Sequence, residues 1–278
     1  MRGATLAGVG AIALWAFLGL LARAAGAVPP LQLTAMSFAI AAALGLGVLA
    51  LRRRLSDLRQ GKLAWAHGVG GLFGFHALYF TALALAPAAE ANLINYTWPL
   101  LIVLLAAAVL GLPLSLRHLI GAALGVVGCV LLLGGGARLS AAALPGYLAA
   151  AASALTWALY SVLARRFATV PTGAVAGFCA GSAVLAALVH AAVEPTVWPR
   201  AGGWLAVLAM GLGPVGGAFF LWDVGMKRGD PRLLGTLAYA TPVASTLLLC
   251  AGGFAPFSAR LLASALLVGA GGLVAARG

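Results

Sequence analysis

Negative charge is almost missing from this chain. Five of 278 residues are acidic, against 17 lysines and arginines, and charged residues of both signs make up only 8%. Soluble domains carry about 25% charged residues, so a water-facing surface over this length is excluded. The shortage also removes the paired carboxylates, or the His-Glu-X-X-His run, that a membrane-embedded enzyme would need; no enzymatic chemistry is expected. Cysteine is equally sparse. Cys129, Cys179 and Cys250 are odd in number, far apart and set within apolar runs. That pattern gives neither a disulfide framework nor a metal site, and the three read as small buried hydrophobes. No metal and no cofactor are expected.

What the chain has is apolar length. Hydrophobic residues make up 63%, and the mean hydropathy is +1.08. No soluble fold hides that much apolar surface, so the solvent is lipid. Only helices and closed barrels satisfy their backbone there. A barrel would show alternating segments of about ten residues, whereas these runs are about twenty long, the length a helix needs to cross roughly 30 Å of hydrocarbon. Ten are expected, at 4–22, 31–51, 63–86, 90–111, 118–135, 145–164, 172–193, 203–224, 232–253 and 258–276. The first, with Arg2 ahead of it and "ARAAGA" behind, imitates a secretion signal. It is expected to be retained, because it has a counterpart later in the chain.

A net charge of +12 raises the question of nucleic acid. The distribution of the charge answers it. With the N-terminus cytoplasmic, 13 basic residues fall in inside segments and four, Arg23, Arg138, Arg200 and Arg260, fall outside. This is the positive-inside bias, and it places both termini in the cytoplasm. The basic excess is a topology signal with secondary contact to anionic headgroups; no nucleic-acid partner is expected.

The chain also repeats itself. "ALWAFLGLLAR" (13–23) aligns with "LTWALYSVLAR" (155–165), pairing Trp15 with Trp157 and Arg23 with Arg165 at an offset of 142. "NYTWP" (95–99) aligns with "AYATP" (238–242), and "LPLSLR" (112–117) with "APFSAR" (255–260), both at 143. These matches divide the chain into halves of five spans, residues 1–137 and 138–278. An odd number of spans forces the second half to insert upside down. Inverted repeats are typical of secondary transporters, with the solute site between the halves.

The expected fold is therefore all-α and integral to the membrane: ten transmembrane helices as two inverted five-helix repeats around a central cavity, with N- and C-termini cytoplasmic. Polar residues inside such spans need a reason. Pro99 has no N–H and its ring displaces the carbonyl of Asn95; Pro242 does the same to Ala238. Both read as hinges. Asn92, Asn95 and Tyr96 share one side of the fourth span, and Thr236 and Tyr239 take comparable places on the ninth. His76 and Tyr79 are three apart on the third span, as are Trp157 and Tyr160 on the sixth. Trp15 and Trp157 lie too deep for the interfacial belt that suits Trp65, Trp198 and Trp204. The candidates for the cavity wall are Trp15, His76, Tyr79, Asn92, Asn95, Tyr96, Trp157, Tyr160 and Tyr239. His67, His118 and His190, near span ends, are left out, and helix-to-helix bonding stays open for Asn92 and Asn95.

With its Trp in spans 1 and 6, short basic loops, prolines in spans 4 and 9 and five-plus-five repeat, the whole chain resembles the drug/metabolite transporter superfamily, in its ten-helix EamA-like group. "NYTWP" is similar to a motif of the amino acid exporters in that group. The resemblance implies a bacterial inner-membrane exporter, monomeric in the lipid bilayer, whose aromatic cavity takes aromatic and other neutral amino acids with broad selectivity by alternating access. It adds Trp98, and supports Trp157, as substrate contacts. The chain departs from the group where many members end span 4 with Gly-Glu; Leu112 stands there. A carrier of another small metabolite or drug, and a passive channel, remain the alternatives.

Proton-coupled drug pumps need an intramembrane carboxylate. Here Asp57, Glu194 and Asp230 fall in loops, Glu90 opens span 4 where the helix dipole favours an acid, and Asp223 sits four before Lys227 at ion-pair spacing. With no acid mid-span, export down the substrate gradient, or coupling through a group other than a carboxylate, is expected. The substrate carboxylate would meet Asn amides, His76 or broken-helix N–H groups; the ammonium would meet freed carbonyls and aromatic faces, at roughly 0.5–2 kcal/mol per cation–π contact. Cytoplasmic termini predict that a C-terminal green fluorescent protein fusion fluoresces and a C-terminal alkaline phosphatase fusion is inactive; the reverse pattern would invert the topology.

Overall fold

The computed structural model describes residues 2–134 and 140–278. Arg138 and the expected boundary between residues 137 and 138 lie outside the described residues. Among the described residues there are helices and no strand. Nine helices are long and apolar enough to span a membrane: α1 (Arg2–Ala25), α2 (Pro30–Leu51), α3 (Lys62–Leu85), α4 (Ala88–Leu110), α5 (Leu116–Leu133), α6 (Ala141–Phe167), α7 (Thr172–Val193), α8 (Ala201–Arg228) and α9 (Pro231–Ala251). The tenth, α10 (Ala259–Ala275), is shorter. Each falls on one expected run. The largest differences are at α6, which starts four residues before 145 and runs three past 164, and at α8, which continues four residues past 224 to Arg228. The extension is stabilised by an ion pair within the helix: Lys227 Nζ lies 2.8 Å from Asp223 Oδ1, both side chains buried. Thr172 donates to the same carboxylate at 2.6 Å, and Lys227 donates to the Val170 carbonyl at 2.8 Å. The charge of Lys227, beyond the expected end of the span, is thus carried into the helix with Asp223.

Helices from the two halves interlock. α2 packs on α7, α5 on α10, α3 on α6 and α1 on α8. Exchanging the halves maps the first two pairs onto themselves and the third onto the fourth, as a twofold relation requires. The α5–α10 contact depends on missing side chains. A Cβ on Gly271 would come 2.6 Å from the carbonyl oxygen of Gly121, and Ser264 donates to the carbonyl of Gly128 at 2.6 Å. Lipid gives no hydrophobic drive to helix association, so close backbone approach and van der Waals contact hold this pair.

Four helices are irregular within the span. α1 turns at Ala16 and Phe17, α4 at Tyr96 and Thr97, and α9 at Ala238 and Tyr239, while α8 widens into a π-turn over Gly213–Gly217. The interruptions of α4 and α9 fall just ahead of Pro99 and Pro242, as expected. Each proline then occupies the first turn of a new helical segment, where its missing N–H costs nothing.

The acids secure the ends. Asp230 caps α9, accepting from the backbone of Arg232 and Leu233, and pairs with the Arg232 guanidinium at 3.0 Å. Burial pushes its carboxyl up, but Arg232 and the backbone donors outweigh burial and hold it below the ordinary carboxylate value. Glu194 accepts from the N–H groups of Leu31 and Gln32 at 3.0 and 3.1 Å, which joins the α7–α8 loop to the start of α2. Asp57 pairs with Arg54 at 3.1 Å, and Glu90 is buried in the first turn of α4. At the basic end the halves are tied by Arg166, which donates to the carbonyl of Val109 at 3.0 Å, and by Arg232, which donates to that of Pro113.

Gly271→Ala is expected to destabilise the protein by about 1–3 kcal/mol through overpacking, lowering the melting temperature in detergent. Gly269→Ala, on the same helix with open space around it, should leave it unchanged. Equal melting temperatures would show that the α5–α10 contact gives way freely.

Candidate substrate cavity

A cavity of about 400 Å³ lies between the halves. Its wall is built by α1, α2, α3, α4, α6, α8 and α9. Leu18, Gly19 and Ala22 late in α1, Val28 and Pro30, Leu33 and Thr34 early in α2, and Tyr79 and Phe80 late in α3 line it toward the end away from the basic loops. In the other direction it ends on indoles. Trp15, Trp98, Trp157 and Phe219 form the floor, and Trp222 backs them. Ring centroids lie 5.5 Å apart for Trp15–Trp157, 5.0 Å for Trp15–Trp222 and 6.4 Å for Trp15–Trp98. Such edge-on and tilted pairs contribute about 0.5–1.5 kcal/mol each beyond burial. Two of these indoles have their N–H satisfied within the protein. Trp15 donates its indole N–H to the Pro214 carbonyl at 2.9 Å, and Trp222 donates to the Ser161 hydroxyl at 3.0 Å. Beyond this layer the buried Asp223–Lys227 pair and the arginine ties close the basic end. The cavity therefore opens to one side only.

Seven of the ten expected residues line it: Trp15, His76, Tyr79, Asn95, Tyr96, Trp98 and Trp157. Among the described residues that do so, none is Asp, Glu, Lys or Arg. The Nδ1 of His76 lies 2.7 Å from the carbonyl oxygen of Leu72. That bond needs the proton on Nδ1 and leaves Nε2 as the ring's second polar atom. Asn92, Tyr160 and Tyr239 stand outside the wall. Asn92 accepts from the hydroxyl of Tyr79 and donates to the carbonyl of Ala88 at 2.8 Å, so it orients a lining residue from behind. Tyr160 is buried beneath Trp157, at 5.2 Å between centroids, and stacks on His67 at 4.9 Å. Tyr239 is fully buried, and its hydroxyl accepts from the N–H of Leu100 at 3.2 Å. The first N–H groups of a helical segment lack partners, and Leu100 stands at the start of the segment that Pro99 opens. Tyr239 thus caps the broken α4 from across the interface between the halves.

The sequence reading missed α2 and α8. Ser37 of α2, Met210, Pro214, Val215 and Phe219 of α8, and Thr241 of α9 also line the cavity. Pro214, between Gly213 and Gly216, carries the signal that singled out Pro99, a proline within a span. Nothing in the α2 pattern marks Ser37.

Residues 2–134 and 144–276 each match the EamA-like transporter family. The chain belongs to the EamA-like transporter family. As a member it is a multi-pass membrane transporter, and its ten helices and two matched segments agree with the fold expected from the sequence. It is 55% identical over 271 residues to the aromatic amino acid exporter YddG of Ancylobacter novellus, covering 96% of this chain and 94% of that protein. A crystal structure superposes with a TM-score of 0.96 at 53% identity, covering 99% of this chain and 96% of that one.

Tyr239→Phe leaves the N–H of Leu100 unpaired without changing ring volume. It is expected to cost about 1 kcal/mol, within the range for a buried orphaned donor and for hydrogen bonds between membrane helices, read as a lower melting temperature. An unchanged melting temperature would mean that Leu100 is satisfied elsewhere.

Proposed function

We propose that this EamA-like transporter exports aromatic and other neutral amino acids from the cytoplasm across a bacterial inner membrane, as a monomer, by alternating access between inverted halves at 1–137 and 138–278. The observation that carries the reading is the aromatic-floored cavity between the halves, open at one end only. The name of the 55% identical relative, an aromatic amino acid exporter, points to the same solute class. Indoles give a flat apolar platform for a substrate ring, and the weak directionality of ring contacts suits several side chains. A wall without charged residues favours a solute of zero net charge over a sugar nucleotide or a phosphate. An amino acid zwitterion meets that condition.

The closed floor argues against a passive channel, which needs a continuous path. In the state described, the cavity faces away from the basic loops, which the positive-inside bias places in the cytoplasm. The inverted halves can exchange roles, and the mirror arrangement would open the other side. Asp57, Glu194, Asp223 and Asp230 are engaged in caps or ion pairs, Glu90 is buried at the start of α4, and none of the five acids lines the cavity, so no carboxylate stands at the solute site to trade for a proton. The reading is facilitated export down the substrate gradient, without covalent chemistry.

Counterflow in liposomes tests it. Proteoliposomes preloaded with phenylalanine should accumulate labelled phenylalanine from outside. Trp98→Ala and Trp157→Ala, confirmed as folded by their melting curves, should reduce the initial rate at least tenfold. If no amino acid drives accumulation by the wild type, the amino acid assignment falls and the family's other small metabolites become the candidates.

A further inference from the structure

Hydroxyls inside membrane helices usually bond back to their own backbone, and this chain shows that habit. Thr34 donates to the carbonyl of Pro30, Thr81 to Ala77, Thr97 to Ile94, Thr236 to Arg232 and Thr246 to Pro242, at 2.7–3.1 Å. Ser37 and Thr241 do not. The Ser37 Oγ, the Thr241 Oγ1 and the Asn95 Oδ1 are buried with no hydrogen-bond partner in the protein. All three residues line the central cavity. Ser182 on α7 shares the lack of a partner but does not line the cavity. Burying a polar group without a partner is unfavourable, and native structures seldom do so. Three such atoms, on residues of three helices that line one cavity of aromatic and aliphatic side chains, need a common explanation.

Their positions supply one. Asn95 ends the first segment of α4, and Thr241 lies in the first turn of the second segment of α9. In the repeat that pairs Tyr96 with Tyr239, Thr241 is the counterpart of Trp98. One half therefore presents an indole where the other presents a hydroxyl. The cavity thus has rings that suit a substrate ring and, on Ser37, Asn95 and Thr241, three uncommitted oxygens for its polar end.

We propose that Ser37, Asn95 and Thr241 form the head-group site of this transporter, the two hydroxyls donating to the substrate's α-carboxylate and the Asn95 side-chain carbonyl accepting from its ammonium. The assignment follows from the donor and acceptor inventory. Hydroxyls donate to a carboxylate, an amide oxygen can only accept, and bonds to a charged partner are the stronger kind. Neutral anchors fit a neutral zwitterion, because a fixed charge at either pole would favour an ion over an amino acid. The inference rests on the amino acid reading above and adds which atoms hold which end of the solute.

The test is competition in the counterflow assay, with labelled phenylalanine as substrate. The competitors are phenylalanine, phenethylamine (no carboxylate) and 3-phenylpropionate (no ammonium). Against the wild type both analogues should compete at least tenfold more weakly than phenylalanine, one charge-assisted bond being worth about that factor. Ser37→Ala and Thr241→Val should each weaken phenylalanine about tenfold and leave phenethylamine unchanged, so that the preference between them collapses. Asn95→Ala should collapse the preference over 3-phenylpropionate instead. Thr241→Ser, which keeps the hydroxyl, should retain wild-type discrimination. Variants that weaken phenylalanine and both analogues equally, or that change no ratio, would overturn the head-group site while leaving the transport function standing. Failure of the wild type to take up phenylalanine at all would remove both.

Discussion

In lipid an exposed N–H or C=O has no water to turn to. Every break in a helix must therefore be repaired by another part of the protein. This chain breaks α1, α4 and α9 and widens α8, and the repairs cross between its halves. The indole N–H of Trp15, at the break in α1, is bonded to the carbonyl of Pro214 in the π-turn of α8. The hydroxyl of Tyr239, at the break in α9, receives the N–H of Leu100 just past the break in α4. Each half completes the backbone of the other. The irregularities concentrate around the central cavity because irregular backbone at membrane depth survives only where protein or a polar cavity satisfies it.

That constraint also sorts the polar residues. Tyr239, Asn92 and Thr236 are taken up in repair or in orienting neighbours, and Trp15 does both that and cavity lining. What remains uncommitted is a short set of oxygens against a wall of rings. An apolar cavity with a few convergent polar groups is the usual character of a small-molecule site. The same logic explains the acids. Five carboxylates in a chain of this kind would be expensive unless paired. Asp57, Glu194, Asp223 and Asp230 are bonded to cations or to helix N-termini at the ends of the spans, outside the cavity wall.

The glycine-lined contact of α5 with α10 and the aromatic floor have opposite mechanical characters. Glycine brings two backbones into close van der Waals contact. The indole layer is interlocked by edge-to-face contacts and two hydrogen bonds, and it forms the closed end of the cavity.

The sequence by itself determined the number of spans, their orientation and their division into two related halves. These depend on local composition, on loop charge and on self-similarity, all of which are written along the chain. It also marked the breaks in α4 and α9, because proline acts through its own ring and its missing N–H wherever it stands. Tertiary structure alone decided which polar side chains line the cavity. Asn92 and Asn95 lie on the same helix, three residues apart, yet Asn92 is held by Tyr79 of α3 while Asn95 faces the cavity. Tyr96 and Tyr239 are equivalent in the repeat, yet one lines the cavity and the other caps a neighbouring helix. Ser37 carries no sequence mark at all. A side chain's role in a membrane protein depends on which other helix stands opposite it, and helix pairing between distant segments leaves no trace in the local pattern.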